Sequence, residues 1–334
     1  MISGSATPAL LASARADSAR GAWSEVRALL GAHTADARAH PELVTLYGEA
    51  LLRTRAPREA SAWLAETATM VRRSGDRAAT RKAANLEGVA CFESGDIGHA
   101  EERFQEAMEL GRQDGDDLLL ARATNNLGTI ANVRGASREA LALYRLAIPA
   151  YQRLGNARGM AETYHNIAIS FRDLGDAAHT EESEQRALEF ARQASDARLA
   201  AMAQVGLAEV RLRGGDAELA EAEARRAAQD LAAAGDLKGE ADALRLAGAA
   251  ATARGRFDDA AMLLARAVRL ARDHGFALIE AEGRRASAEL ALAQGDAKRA
   301  VSLAREALAI FERLAATEVR AVRDWIATVE LDRH

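Results

Sequence analysis

A glycine recurs every forty residues along most of this chain, and this spacing constrains the fold more than any other feature. The column consists of Gly95, Gly135, Gly175, Gly215, Gly255 and Gly295. A fixed period of roughly 20 to 50 residues is typical of proteins built by stacking one supersecondary unit on the next. The chain is therefore expected to be an array of forty-residue units.

Three further columns of small residues share the same register. One holds only glycine and alanine: Gly48, Gly88, Gly128, Ala168, Ala208, Gly248 and Ala288. The other two are Ala60, Ala100, Ala140, Thr180, Ala220, Ala260 and Ala300, and Ala107, Ala147, Ala187, Ala227, Ala267 and Ala307. Small side chains let two helix axes approach closely, and the bulky Phe104, Tyr144 and Leu264 between them fill the remaining space. Each unit is predicted to contain two closely packed helices.

Each unit also carries two breaks that are suited to end one helix and begin the next. Gly95-Asp96 and Gly115-Asp116 are examples that lie twenty residues apart. Glycine adopts the left-handed conformation that ends a helix, and aspartate caps the following one. The predicted hairpins are about 9–40, 41–76, 77–116, 117–156, 157–196, 197–236, 237–276 and 277–316, after an N-terminal tail at 1–8. Residues 317–334 are predicted to form a C-terminal capping helix.

Composition supports an all-α fold. Apolar residues make up 49% of the chain but aromatic residues only 4%, and there are 4 prolines. The apolar share therefore comes mostly from alanine and leucine, which are strong helix formers. Pro149 is the exception, because it falls inside a predicted helix and should bend it.

These columns resemble the tetratricopeptide repeat (TPR) family, in its long-repeat form. The repeats are six residues longer than the common form of about 34 residues, and the closing proline is missing. The long form is similar to MalT-like, kinesin-light-chain-like and Rap-like TPR regions. The resemblance implies a right-handed α-solenoid of about eight hairpins, in which the first helices (A helices) line a concave groove that binds a peptide or a partner segment.

Several function classes are disfavoured by the sequence. The net charge of −5, with both signs interspersed, argues against direct nucleic-acid binding. No apolar run is long enough to cross a membrane. Phosphate-binding, metal-binding and nucleophile motifs are missing, so we expect no catalytic residues, no metal and no cofactor. The single Cys91 is expected to be a core residue. A non-enzymatic protein of the bacterial cytoplasm is expected.

The register carries the family's groove positions onto nine residues of this sequence: Lys82, Asn85, Arg122, Asn125, Asn126, Asn132, His165, Asn166 and Arg172. Asparagine is a poor helix-interior residue, so its presence in A helices needs a reason. One reason is a ligand, because an amide can both donate to and accept from a peptide backbone. The alternative is that Asn126 and Asn166 brace neighbouring helices, and that the charged residues are solvated or paired.

The sequence therefore predicts a scaffold that binds a protein or peptide in the groove. The alternative is a ligand- or peptide-sensing regulatory subunit that acts on a transcription factor or an enzyme. Lys82 and Arg122 give way to Glu162 and Asp242 along one row, which predicts that the acidic part of a ligand lies toward the third and fourth hairpins. Monomer and weak homodimer both stay open.

Overall fold

The computed structural model describes residues 6–314 and 318–331, which form α-helices and no β-strand. The helices are α1 (Ala6–Ala19), α2 (Trp23–Ala32), α3 (Thr34–Arg38), α4 (Pro41–Arg53), α5 (Pro57–Arg73), α6 (Arg77–Ser94), α7 (Ile97–Asp114), α8 (Asp117–Val133), α9 (Ser137–Arg153), α10 (Ala157–Asp173), α11 (Ala177–Gln193), α12 (Ala197–Arg213), α13 (Ala217–Ala233), α14 (Leu237–Ala253), α15 (Phe257–Asp273), α16 (Ala277–Ala293), α17 (Ala297–Arg313) and α18 (Val319–Leu331). The fold is an all-α solenoid of TPR-like hairpins.

The chain divides into two compact units, Met1–Gly159 and Met160–His334. The first unit contains α1 to α9, and the second begins within α10. The predicted hairpin at 9–40 contains the short α3 in addition to α1 and α2. Parts of three predicted segments lie outside the described residues: 1–5 of the N-terminal tail, 315–316 of the last hairpin, and 317 and 332–334 of the capping helix.

The turn chemistry predicted from the Gly-Asp pairs is confirmed. Gly95 has φ of 91°, and the Asp96 side chain accepts a hydrogen bond from the backbone N–H of His99 at 3.2 Å. Aspartates that precede α6, α8, α11, α12, α13, α14 and α17 make the same cap. Ser195 stands where most turns have glycine and adopts φ of 52°. Each cap satisfies a backbone donor that a helix start leaves unpaired.

The small-residue columns are the contact seams within the hairpins, as predicted. In four hairpins an A-helix glycine faces a bulky side chain of the second helix (B helix), at a distance where an added Cβ would lie 2.5–2.8 Å from it. The pairs are Gly48 with Leu64, Gly88 with Phe104, Gly128 with Tyr144, and Gly248 with Leu264. At these four glycines a larger side chain would collide with the facing residue unless that residue shifted.

The first unit is built from helices that pack on their sequence neighbours, with further A-to-A contacts of α4 with α6 and of α6 with α8. Trp63 anchors its core by donating from Nε1 to the carbonyl of Val44 at 3.0 Å. Cys91 is buried, as expected, and burial raises the pKa of its thiol. Helix α9 runs through Pro149.

The second unit follows the same plan. Its A helices are α10, α12, α14 and α16, and α14 contacts both α12 and α16 directly. Helix α18, in the segment predicted to form a capping helix, packs on α17 and buries Val322, Ile326 and Val329. The A helices therefore share one face of this unit, and α18 covers the end of the stack.

Candidate ligand-binding groove

A cavity of about 500 Å³ opens on the A-helix face of the second unit. Its volume falls within the range of roughly 300–1,000 Å³ that is usual for ligand pockets. The apolar lining consists of Ala168, Ile169, Met202, Val205, Val210, Leu231 and Ile279. The charged and titratable lining consists of His165, Arg172, Glu184, Arg198, Glu209, Arg213, Asp236, Lys238 and Asp242. This first cavity can hold both apolar and hydrogen-bonding groups.

A second cavity, of about 570 Å³, adjoins the first. The two share Arg172, Glu209, Arg213, Lys238, Asp242 and Ile279. The second cavity extends to α16 and α18, where it is lined by Glu282, Arg285 and Trp325. Because six side chains line both cavities, they form one continuous surface, which we call the groove.

Helical spacing explains why α12 contributes so much of the groove. Arg198, Met202, Val205, Glu209 and Arg213 all line the first cavity and follow one another at intervals of three or four residues. Residues at this spacing lie on one face of a helix. The equivalent positions of α14 and α16 extend this stripe into the second cavity.

The first cavity lies where the repeat pattern lacks its bulky B-helix side chain. At the position of Leu64, Phe104, Tyr144 and Leu264, the fifth hairpin has Glu184 and the sixth has Ala224. The Glu184 carboxylate lies against Gly206 of α12, so closely that an added Cβ at Gly206 would overlap it. Glu184 lines the first cavity, so a charged side chain stands there in place of the leucine or aromatic ring of other hairpins.

Glu184 and His165 form a buried pair in this cavity. The Nδ1 atom of His165 lies 3.1 Å from both carboxylate oxygens of Glu184, and the two side chains are 18% and 3% exposed. Burial raises the pKa of Glu184 above its ordinary value, although His165 opposes this effect. Burial also disfavours a charged His165, but the Glu184 carboxylate outweighs it and raises the pKa of the imidazole.

Ion pairs connect the A helices around the cavity. Glu209 accepts from Arg172 at 3.4 Å and lies 2.7 Å from Arg213. Arg198 lies 3.3 Å from Asp236. The contacts from α10 to α12 and from α12 to the start of α14 are therefore longer than the pair within α12.

A more deeply buried ion pair lies in the second cavity. Arg245 is 12% exposed and lies 2.7 Å from Asp242 and 3.4 Å from Glu282. Burial disfavours its charge, but these two carboxylates outweigh that cost and raise the pKa of Arg245. Burial also raises the pKa of Glu282. The pair links α14 to α16 and fixes the wall of the groove.

Of the residues predicted from sequence, His165 and Arg172 line the groove of the second unit. Asn166 is not among its lining residues. It is half-buried, and its backbone carbonyl accepts a hydrogen bond from Ser170 Oγ at 3.3 Å.

Three of the predicted groove residues of the first unit, Lys82, Arg122 and Asn85, differ in their surroundings. Lys82 lies 2.8 Å from Glu49, so its charge has a partner on the neighbouring A helix. Arg122 is exposed. The Oδ1 atom of Asn85 is buried and has no hydrogen-bond partner in the described part of the chain. A ligand role for these three residues stays a prediction.

The remaining predicted asparagines lie on α8. Asn125 is buried, at 8% exposure, and Asn126 is half-buried. Asn132 donates from Nδ2 to the hydroxyl oxygen of Tyr144 at 3.2 Å, and burial raises the pKa of Tyr144 to about 12. Asn132 thus ties the A helix of this hairpin to its B helix, and ligand contact by these asparagines also stays a prediction.

Sequence analysis did not name several charged residues that line the first cavity, among them Glu184, Arg198, Glu209, Arg213 and Lys238. Arg198, Glu209 and Arg213 lie on the α12 stripe, and Lys238 occupies the position on α14 that is equivalent to Arg198, so the forty-residue register applied to these helices would have found them. Glu184 had its own signal, because it is a charged residue in a column where four other hairpins have a bulky apolar side chain.

The described residues contain no group of three or more histidine, cysteine, aspartate or glutamate side chains placed to hold a metal ion. Within the same residues, no helix combines the length and the apolar character needed to span a membrane.

No protein-family model matches this chain, and no curated protein matches it in sequence. Solved structures do match its fold. A Rap protein complexed with Competence and Sporulation Factor has 14% identity and a TM-score of 0.65, covering 98% of this chain and 99% of that one. The apo form of RapI has 12% identity and a TM-score of 0.68, covering 82% and 98%. The apo quorum sensor NprR from B. thuringiensis has 12% identity and a TM-score of 0.60, covering 97% and 98%.

At these identities the similarity concerns the fold. It agrees with the repeat columns, the capped turns and the pairwise packing of consecutive helices. The chain is therefore a TPR-like helical repeat protein in its fold.

Proposed function

We propose that the groove of the second unit binds an extended peptide, or an extended segment of a partner protein, without catalysing a reaction. The observation that carries this proposal is the continuity of the two cavities through six shared side chains. A single small molecule needs one enclosed pocket, whereas a chain segment needs adjoining subsites along a surface. The bacterial cytoplasm is the proposed setting.

The chemistry of the lining supports a peptide as ligand. Methionine, valine and isoleucine side chains supply apolar contacts, and arginine donors lie beside them. Peptide recognition by helical surfaces generally combines apolar anchors with polar groups that fix the orientation of the chain. The groove offers both along one helix face.

The matched structures support the same proposal by analogy of fold. One Rap structure contains Competence and Sporulation Factor, and NprR is described as a quorum sensor. These descriptions favour the second candidate function, a sensing regulatory subunit that acts on a transcription factor or enzyme. The buried His165–Glu184 pair also favours it, because a titratable pair in a binding cavity can couple occupancy to charge.

Replacing Met202 with alanine is expected to weaken peptide binding about tenfold or more. Met202 lines the first cavity at the centre of the α12 stripe. Burial of a methionine side chain is worth about 1.5–3 kcal/mol, and about 1.4 kcal/mol corresponds to a tenfold change in Kd. Random peptides displayed on phage would be selected against the purified chain, and the Kd of an enriched peptide measured by fluorescence anisotropy.

Met262→Ala is the matched control, because Met262 is 65% exposed and lines neither cavity. It should leave the Kd unchanged. Equal binding by wild type and Met202→Ala, with loss in Asn125→Ala, would move the ligand to the first unit and refute the proposed groove. A peptide that changes hydrogen exchange only at the groove would favour the scaffold, and changes elsewhere would favour the sensor.

A further inference from the structure

We propose that Lys238, together with Arg172 and Arg213, selects an acidic side chain in the bound segment. This inference rests on the proposed function and names the chemistry of its ligand. It concerns the junction of the two cavities, the stretch of groove that any segment occupying both must cross. The junction contains three cations, two carboxylates and one isoleucine: Arg172, Arg213, Lys238, Glu209, Asp242 and Ile279.

The carboxylates at the junction already have cationic partners. Glu209 is held by Arg172 and Arg213, at 3.4 and 2.7 Å. Asp242 lies 2.7 Å from Arg245, whose side chain is 12% exposed. A basic ligand side chain would have to displace one of these guanidinium groups to reach a carboxylate.

Lys238 has no such partner. It is exposed, lines both cavities, and forms no ion pair with any of the described residues. The equivalent position on the preceding A helix is Arg198, whose guanidinium lies 3.3 Å from Asp236. The junction therefore has three cations and two carboxylates, and the unpaired cation among its described residues is Lys238.

The other carboxylates that line the second cavity do not supply the missing partner. Asp173 lies 3.3 Å from Arg172, and Glu289 lies 2.9 Å from Arg285. Glu282 lies 3.4 Å from Arg245. Glu318 has an interaction of its own. An aspartate or glutamate of the ligand would complete the charge balance at Lys238.

The surface beside Lys238 predicts which residues of the ligand flank its acidic side chain. Met202 and Val205 lie on one side of the junction and Ile279 lines it directly. The preferred segment is thus an acidic residue next to apolar residues. Charge complementarity of this kind gives specificity and a faster encounter, both of which weaken as salt rises.

The test compares phage-displayed random peptides selected against the full chain as wild type, as Lys238→Glu and as Lys298→Glu. Lys298 is the matched control, because it is another exposed lysine with no ion pair among the described residues and it lines neither cavity. We expect wild type and Lys298→Glu to enrich aspartate or glutamate at one position beside apolar residues. Lys238→Glu should lose that preference or replace it with lysine or arginine.

The Kd of one enriched peptide is then measured on all three proteins, beside the same peptide with its acidic residue changed to the amide. We expect Lys238→Glu to raise the Kd of the acidic peptide at least tenfold. Changing the acidic residue of the peptide to its amide should raise the Kd for wild type but alter the Kd for Lys238→Glu little. Peptides that bind all three proteins equally, and depend on Met202, would overturn this inference and leave the proposed function standing. The absence of any enriched peptide that depends on Met202 would overturn both.

Discussion

Replacing Phe104 with alanine is expected to lower the free energy of unfolding of the first unit by about 3–5 kcal/mol. The Phe104 ring is 2% exposed and packs on Gly88, where an added Cβ would lie 2.6 Å from the ring. Alanine would lose the apolar contact area of the ring and would leave a cavity in the seam that joins α6 to α7. Urea denaturation followed by circular dichroism measures the change.

Two variants test whether this loss comes from the seam. Leu146→Ala removes a B-helix side chain that is 65% exposed, and it should change stability by less than about 0.5 kcal/mol. Gly88→Ala should cost about 1–3 kcal/mol in wild type by overpacking, but little in Phe104→Ala, where the ring is gone. Fully additive effects would contradict a direct contact between the two positions.

Replacing His165 with alanine is expected to destabilise the second unit by about 3–5 kcal/mol at neutral pH. His165 supplies the hydrogen bond that both oxygens of Glu184 share, and the Glu184 side chain is only 3% exposed. Its removal leaves a buried carboxylate with no other hydrogen-bond donor from the described part of the chain. Thermal or urea unfolding of the purified variant measures the loss.

Adding Glu184→Leu to His165→Ala should restore most of that stability. Leucine occupies the same seam position in two other hairpins, as Leu64 and Leu264, and buried ion pairs can often be replaced by apolar residues without loss. If the double variant is as unstable as His165→Ala, the cost does not come from the unpaired carboxylate.

The same pair should make stability fall as pH rises. The pKa of His165 is raised in the folded state, so its contribution is complete below the ordinary value of 6.5 and is lost as pH rises through the folded value. The pKa of Glu184 is also raised, so its contribution to stability likewise falls as pH rises. Wild type should therefore lose stability relative to His165→Ala/Glu184→Leu as the pH rises above about 6.5. A constant difference across that range would contradict the shift.

The helices and their turns could be predicted from the sequence because their causes are local. A left-handed glycine and a capping aspartate each act within a few residues, as Gly95 and Asp96 do. The seams could also be predicted. A small residue that faces a bulky one, as Gly128 faces Tyr144, recurs at the same positions of several repeats, and both residues belong to the same hairpin.

The groove could be predicted only in part. His165 and Arg172 were found by register, because position in a repeat determines which face a residue lies on. Register alone did not reveal that Lys82 is already paired with Glu49, nor that Lys238 has no ion-pair partner among the residues that the structure describes. Ion pairs between A helices depend on distances between side chains that are about forty residues apart in the chain. The same pattern of charged residues can therefore leave a given charge paired in one repeat and unpaired in another.

The sequence by itself determined that this chain is a stack of α-helical hairpins, because the forty-residue column of glycines and the small-residue seams each impose a short-range geometric requirement. The tertiary structure alone decided where that stack has room for a ligand. The first cavity lies beside Glu184, which contacts His165 of α10 and Gly206 of α12. Neither contact follows from the repeat, because Glu184 departs from the residue type of its column.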